Sequence, residues 1–400
     1  MVTAVTYPNE NCFIGNPMLV GITANSADEV TLTLKINGQP DVTLSLFPYS
    51  QSGVYKGAFY LSGLLEAAFK DIYIPQGSII SDIEDFTVSY TVEVGGYSGA
   101  SFTGTAFWGG VDNTNYSRLK RWGWDMFIYR LKNYTRQFLF TTRTNSVHLR
   151  LRETELYPFI FIHPGTPVSF VTSNGRVIIP EVFPEGTVCV MDIYELRATF
   201  KSLYSELPSF FAVQVDGETV FDITLLPGSF SEEVYTLRFK NSLGGYEDIE
   251  VTGKALRTYE MSEENTWQSQ NQDNYFEEHR DRVVSKEGLT VHTGYKSQDE
   301  HAFILDMVKS NEIYLIYKKD VSQMLYRCHV SVENYEYLQV IREPNSIQLK
   351  IRFVTEEKFV SPEIDLTLST GLYENITRPG APQWRGDGFI HGGDNMLYGQ

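Results

Sequence analysis

The chain has 400 residues, 42% hydrophobic and 21% charged, too apolar for a largely disordered protein and long enough for two to four domains. Fifty acidic residues against 33 basic ones leave a net charge of −17, which argues against wholesale binding to nucleic acid or an anionic membrane.

The first 110 or so residues read as strands divided by turns. Residues 30–36 (VTLTLKI) alternate β-branched and apolar positions, Asn37-Gly38 supplies two φ > 0 turn residues, and 41–47 (DVTLSLF) return. A third period-two strand covers 86–94 (FTVSYTVEV) and ends at Gly95-Gly96. Between them, 61–70 (LSGLLEAAFK) has apolar residues at helical spacing. These elements predict an Ig-like β-sandwich over 1–110.

Residues 111–155 form a connecting segment of opposite sign. Between 118 and 152 there are nine Lys/Arg and one acid, Asp125, interleaved with Trp122, Trp124, Phe127, Tyr129, Tyr134, Phe138 and Phe140. Cations mixed with aromatics can stack bases and neutralise phosphates. The preceding 110 residues, however, carry ten acids against three lysines, so docking on an acidic neighbour is the stronger expectation. Arg118, Lys120, Arg121, Trp122, Trp124 and Arg130 are the interface candidates, and reversing Arg118, Lys120 and Arg121 to Glu is expected to weaken assembly in low salt.

Residues 156–260 return to strand-like runs at 158–162, 167–171, 176–179, 187–191, 211–215 and 234–239, with hairpin signals at Asn174-Gly175 and Asp216-Gly217. They predict a second β-sandwich. A polar linker follows at 261–274. Residues 275–366 read as a small α+β domain, with a helix over 297–310 whose apolar positions 303, 304, 307 and 308 share a face. Strands at 313–317, 326–332 and 346–353 flank it. From 367 the chain is rich in Gly, Pro and Asn, with Tyr373, Trp384, Phe389 and Tyr398 spaced through it. Such a segment predicts an extended C-terminal arm that orders against another subunit. Its removal is expected to leave a folded chain that assembles poorly.

Catalytic signals are sparse. The seven histidines make no HExxH and no HxH, and GxSxG, P-loop and GxGxxG patterns are absent. His279-Arg-Asp281 copies three letters of a kinase catalytic loop without the asparagine beyond them. The acids at Asp82/Glu84/Asp85 and Glu277/Glu278 read as solvated loops rather than a glycosidase pair. Asp387 and Asp394 lack the ligand ladder of a calcium loop. Cys12, Cys189 and Cys328 lie far apart with no CxxC, so reduced, buried thiols are expected, with no metal and no cofactor. The N-terminus shows no basic region followed by an apolar one, and no apolar run approaches the ~18 residues of a membrane span. The chain is therefore expected to be made in the cytoplasm and to leave it, if at all, by lysis.

Three blocks carry a resemblance. The first is 136–144 (RQFLFTTRT) with Val147 and 153–161 (ETELYPFIF). The second is 237–248 (LRFKNSLGGYED), an N-x-x-G-G-x-D/E element. The third is His292-Thr-Gly-Tyr295 with the 299–310 helix and Ile313-Tyr-Leu315. In this order they are similar to uncharacterised Bacteroidetes phage and prophage tail-associated structural proteins; Phe140 and Arg143 stand where the pattern prefers Thr and Pro. The resemblance implies a non-catalytic virion protein of the tail: a ring, hub, adaptor or baseplate subunit. It also implies, as partners, copies of the same chain in a homo-oligomeric ring or sheath together with neighbouring tail proteins. Two other functions are weighed beside it. A glycan- or receptor-binding adhesin module of the virion would use exposed aromatics. A cell-wall or capsule hydrolase would need converging acids in a cleft.

Overall fold

The computed structural model describes residues 1–72, 74–75, 77–99, 101–122, 131, 138–143, 148–228, 234–261, 266–270, 276–296, 300–319, 322–332 and 345–357. The fold is mostly β, with several sheets and a closed barrel. It divides into two compact units, Met1–Leu226 with Lys240–Glu247, and Pro227–Phe239 with Asp248–Gln400.

The first unit begins with β1 (Val2–Thr6), β2 (Asn11–Phe13), β3 (Leu19–Ala24), β4 (Val30–Ile36), β5 (Val42–Leu46), β6 (Tyr49–Gln51), β7 (Val54–Tyr60) and the short helix α1 (Ser62–Glu66). After these come β8 (Ile80–Asp82), β9 (Thr87–Val94), β10 (Phe102–Phe107) and α2 (Asn113–Trp122). The unit continues with β11 (His148–Arg152), β12 (Phe159–Ile162), β13 (Val168–Thr172), β14 (Val177–Ile178), β15 (Val188–Met191), α3 (Ile193–Tyr204), β16 (Phe210–Val215) and β17 (Glu218–Leu226).

Two sheets, ordered β1-β3-β7-β6 and β2-β10-β9-β4-β5, share one core, as the layers of a β-sandwich do. Alternation explains it: β4 buries Val30, Leu32, Leu34 and Ile36 against Val20, Ile22 and Phe59, while Thr31, Thr33 and Lys35 face outward. Leu32→Ala would empty a fully buried site at a cost of about 2–5 kcal/mol.

The three expected hairpin turns differ in which residues are left-handed. At Asp216-Gly217 both residues have positive φ, 53° and 79°, as a two-residue turn between β16 and β17 requires. At Asn174-Gly175 only Gly175 is left-handed, and its N–H reaches Thr172 O, closing a longer loop between β13 and β14. Asn37-Gly38 departs from expectation in the same way: Gly38 alone has positive φ, and β4 rejoins β5 only at Leu34 and Val42. Pro40 and Asp41 lengthen that loop, which removes the need for a two-residue turn.

A three-stranded sheet, β12-β15-β8, is buried on both faces. Phe159 and Phe161 of β12, with Cys189 and Met191 of β15, point into a core completed by β11, β13, β16, β17 and α3. Ile160, Ile162, Val188 and Val190 point the other way, into a second core with Phe13, Phe86, Phe107 and Phe140. Period-two geometry turns an unbroken apolar run into two faces, which is why FIFI and VCVM contain no polar residue. β8 lies in the span read as the first sandwich yet pairs with β15 in the span read as the second, so the two spans share a sheet.

The helix α3 begins at Asp192, whose Oδ1 accepts the N–H groups of Tyr194 and Glu195 at 2.9 and 3.2 Å. It buries Ile193, Leu196 and Phe200 and ends at Ser205 with φ 54°.

The second unit is built from β18 (Val234–Lys240), β19 (Tyr246–Met261), β20 (Thr266–Gln270), β21 (Phe276–Arg280), β22 (Ser285–Lys296), α4 (His301–Lys309), β23 (Ile313–Lys319), β24 (Ser322–Ser331) and β25 (Asn345–Glu357). Six of these strands close a barrel in the order β18-β19-β22-β25-β24-β23. Its core holds Leu237, Phe239, Ile249, Val251, Leu289 and Val291, and α4 adds Phe303, Ile304 and Met307. The region read as a small α+β domain is therefore a barrel with one helix. It recruits β18 and β19 from the span assigned to the second sandwich, because closure pairs β18 with β23. The predicted linker also contains structure, since β20 pairs with β21 in a separate ladder. The expected C-terminal arm, with Tyr373, Trp384, Phe389 and Tyr398, lies outside the described residues.

Candidate functional site

The candidate interface residues are only partly visible. Arg118 is exposed on α2. Lys120, Arg121 and Trp122 occupy the last turn of that helix, their side chains outside the described part, and Trp124 and Arg130 lie outside the described residues. Asp112 starts α2, and its Oδ1 accepts the N–H groups of Thr114 and Asn115. Burial pushes the Asp112 carboxyl up, but bonds from Asn115 and Thr114 together outweigh it and hold the pKa below the ordinary value. Tyr116 ties the helix down by donating to Pro17 O at 2.9 Å.

Other members of the basic, aromatic segment are interior. Phe138 stacks on Phe221 at 5.6 Å, and Phe140 meets Phe13, Phe86 and Phe107. Arg143, one of the nine cations, is buried: its Nε donates to Glu247 Oε2 at 3.1 Å and its Nη1 to Glu155 Oε2 at 3.3 Å. Thr141 Oγ1 donates to the same Glu247 oxygen at 2.8 Å and accepts the Arg143 N–H. A buried guanidinium needs this enclosure, because desolvating either charge alone costs several kcal/mol.

The other Glu247 oxygen accepts from Asn241 Nδ2 at 2.7 Å, and that amide also donates to Phe140 O at 2.9 Å. Asn241 Oδ1 accepts the Gly245 N–H, and its backbone N–H reaches Gly245 O. One asparagine thus closes the turn 241–245 and fastens it to the stretch of chain at 140. The Asn of the N-x-x-G-G-x-D/E element is the clamp, and the acid at its end is the counter-ion of Arg143.

Of the element's two glycines, Gly244 is the one that sterics require. Gly244 has φ 92°, and a Cβ there would lie 2.6 Å from Trp108 Cβ. Opposite it, Gly109 has φ 89°, and its Cβ would press into the Leu243 carbonyl carbon. Gly110 donates to Ser242 O at 2.6 Å, Gly15 donates to Gly109 O at 2.8 Å, and Lys240 Nζ sits 3.8 Å from the Trp108 ring centroid. Three backbone segments converge here at distances only glycine permits.

The third block has a local explanation of its own. Thr293 is buried and its Oγ1 accepts the Ile347 N–H at 3.0 Å, while Gly294 has φ 68°. The pairing of β22 with β25 shifts between His292 and Tyr295, so Thr-Gly forms a β-bulge in the barrel wall.

The remaining candidates for chemistry are dispersed. Asp82, Glu84, Glu277 and Glu278 are exposed, and His279 stacks on Trp267 at 4.4 Å. The cysteines are free thiols; burial pushes both Cys189 and Cys328 up to about 12, and Cys12 is half-buried. Among the described residues no three His, Cys, Asp or Glu side chains group as metal ligands would, and no helix is long and apolar enough to cross a membrane. The buried network was invisible to sequence reasoning as a unit, although Glu155, Asn241 and Glu247 lie in blocks of the resemblance and Arg143 is a departure from its pattern. No protein-family model matches the chain, and no curated protein matches it.

Proposed function

We propose that this chain is a non-catalytic structural protein of a bacteriophage tail, a ring, hub, adaptor or baseplate subunit that assembles through protein–protein contacts. The observation that carries this reading is a buried brace built from residues within two blocks of the resemblance, Arg143 among them although it departs from the pattern. Arg143, Glu155, Asn241 and Glu247 come from two blocks about a hundred positions apart and are consumed in one buried brace. Such residues specify a fold, as those of a scaffold protein do. What the surface offers instead is exposed apolar side chains, among them Phe47 after β5 and Tyr49 on β6, the edge strands of the two sandwich sheets, and Tyr60 at the end of β7.

The sandwich itself is read as Ig-like. Its sheets β1-β3-β7-β6 and β2-β10-β9-β4-β5 follow the ABED and GFCC′ arrangement, with β2 parallel to β10 as an added edge. A module of this kind serves as a rigid spacer between contact surfaces.

Fractionation of lysed, producing cells tests the proposal. Peptides from this chain should co-purify with tail-bearing particles through a density gradient. Confinement to the soluble fraction, or glycan binding by an isolated monomer, would overturn it.

A further inference from the structure

Sheets guard their edges with charge, proline, a bulge or shortness, because a bare edge is a template for another strand. The first unit does so at most of its edges. β2, β6 and β8 have three residues each, and β14 has two. β1 carries a bulge between Val2 and Ala4, and β11 presents exposed His148 and Arg150. Along β12 the N–H groups of Phe140 and Leu131 donate to Ile160 O and Ile162 O. The edge strand β5 is the exception. Its five residues, VTLSL, hold no charge and no proline and keep an unbroken register with β4.

The ladder shows which of its backbone groups are left over. Gly95 N–H donates to Thr31 O at 2.8 Å, so Thr31 and Thr33 of β4 turn their backbone groups to β9. Val30, Leu32 and Leu34 therefore turn to β5, where they face Leu46, Leu44 and Val42. The N–H and C=O of Thr43 and Ser45 point away from the sheet, and no backbone group of the described residues bonds them there. The same edge leaves the core incomplete. Leu32 and Leu34 are fully buried, whereas Val42, Leu44 and Leu46 are only half-buried against that core.

We propose that β5 pairs antiparallel with β5 of a second copy of this chain, about a twofold axis at Leu44. In that register Thr43 stands opposite Ser45 of the other copy, Val42 opposite its Leu46, and Leu44 opposite its own twin. The outward backbone groups of Thr43 and Ser45 are satisfied, and the Thr–Ser pairs lie together on the outer face. The half-buried apolar side chains of both copies meet on the core side, where each completes the other's cover. Bulge, charge and shortness disqualify the other edges of the first unit, which leaves β5 itself as the complement. The proposal rests on the self-assembly reading above and names a contact for it. Being isologous, this contact stops at a pair, and a ring or tube needs a further one. Main-chain hydrogen bonds and apolar side chains hold it, so it persists in salt that screens exposed charges.

Sedimentation velocity on the full-length protein tests it, with Thr43→Lys/Ser45→Lys, Thr43→Glu/Ser45→Glu and their equimolar mixture. The parent should remain paired at high salt. At about 0.15 M salt, directly opposed charges still act on each other. Each variant alone then sets like charges opposite one another and should pair at least about tenfold more weakly, a change of about 1.4 kcal/mol. The mixture should regain pairing, because lysines then stand opposite glutamates. Both positions are exposed, and an unchanged thermal transition verifies folding. Amide hydrogen exchange on the parent needs no substitution: residues 42–46 should exchange more slowly as concentration rises. Exchange there that ignores concentration would overturn this contact, and so would a mixture no better paired than its parts. A parent that assembles at low salt yet is monomeric at high salt would overturn it too, leaving the self-assembly reading standing. A parent that stays monomeric at every salt concentration would overturn both.

Discussion

Arg143 and Glu247 lie 104 positions apart in the chain and meet at 3.1 Å inside the first unit, with side-chain exposures of 6% and 3%. Neither charge has bulk water to fall back on, so each depends on the other and on Glu155, Thr141 and Asn241. Glu247→Gln should lower the stability of the first unit by about 3–5 kcal/mol, read as a shift in urea midpoint. The triple change Arg143→Met/Glu155→Gln/Glu247→Leu should recover part of that loss, because it removes the guanidinium together with both carboxylates that face it. A single-variant loss under about 1 kcal/mol would show that the pair does not brace the unit.

Two glycine substitutions separate backbone strain from crowding. Gly38 has φ 78° with nothing within 4 Å of where a Cβ would sit, so Gly38→Ala should cost about 1 kcal/mol. Gly109 has φ 89° and faces the Leu243 carbonyl carbon, so Gly109→Ala should cost at least about 2 kcal/mol more. Equal shifts in thermal midpoint would contradict the convergence of backbones at that point.

His163 is fully buried between Phe161 and Phe183, and its Nδ1 accepts the Gly165 N–H at 3.1 Å. Burial lowers its pKa, with the Phe183 backbone opposing. The unfolded chain therefore takes up a proton more readily than the folded one. The neutral ring's stabilising contribution is complete above the unfolded value of about 6.5 and is lost as pH falls below it. Melting temperature should drop between pH 7.5 and 5, and His163→Asn, which retains an acceptor for Gly165, should flatten that drop. An unchanged slope would assign the pH dependence to other groups.

Thiol reactivity should follow burial. Cys189 and Cys328 are buried with raised pKa values, whereas Cys12 is half-buried and donates to Asn9 O at 3.0 Å. A thiol-disulfide reagent at pH 8 should modify Cys12 first in the native protein and reach the other two only on unfolding. Three equally fast reactions would contradict the packing of β15 and β24.

The parts legible in the sequence are those governed by local pattern. The alternation at 30–36 and 86–94 and the helical face over 303–308 appear as β4, β9 and α4. The helix α3 was equally legible and overlooked: Asp192 and Glu195 stand in capping positions before an apolar stripe at 193, 196 and 200. The α2 segment, NTNYSRLKRW, has almost no apolar face, and only Asp112 announces it. Barrel closure was hidden because it depends on pairing Leu237 with Leu315, which no local window contains. The candidate site was hidden for the same reason. Arg143 looks like a surface cation until Glu155 and Glu247 close around it.

Absolute mass by light scattering, with negative-stain images of the same fractions, tests self-assembly most directly. Closed rings or tubes of many copies that fall apart as salt rises are the expected result. A salt-independent monomer or a compact trimer would contradict it.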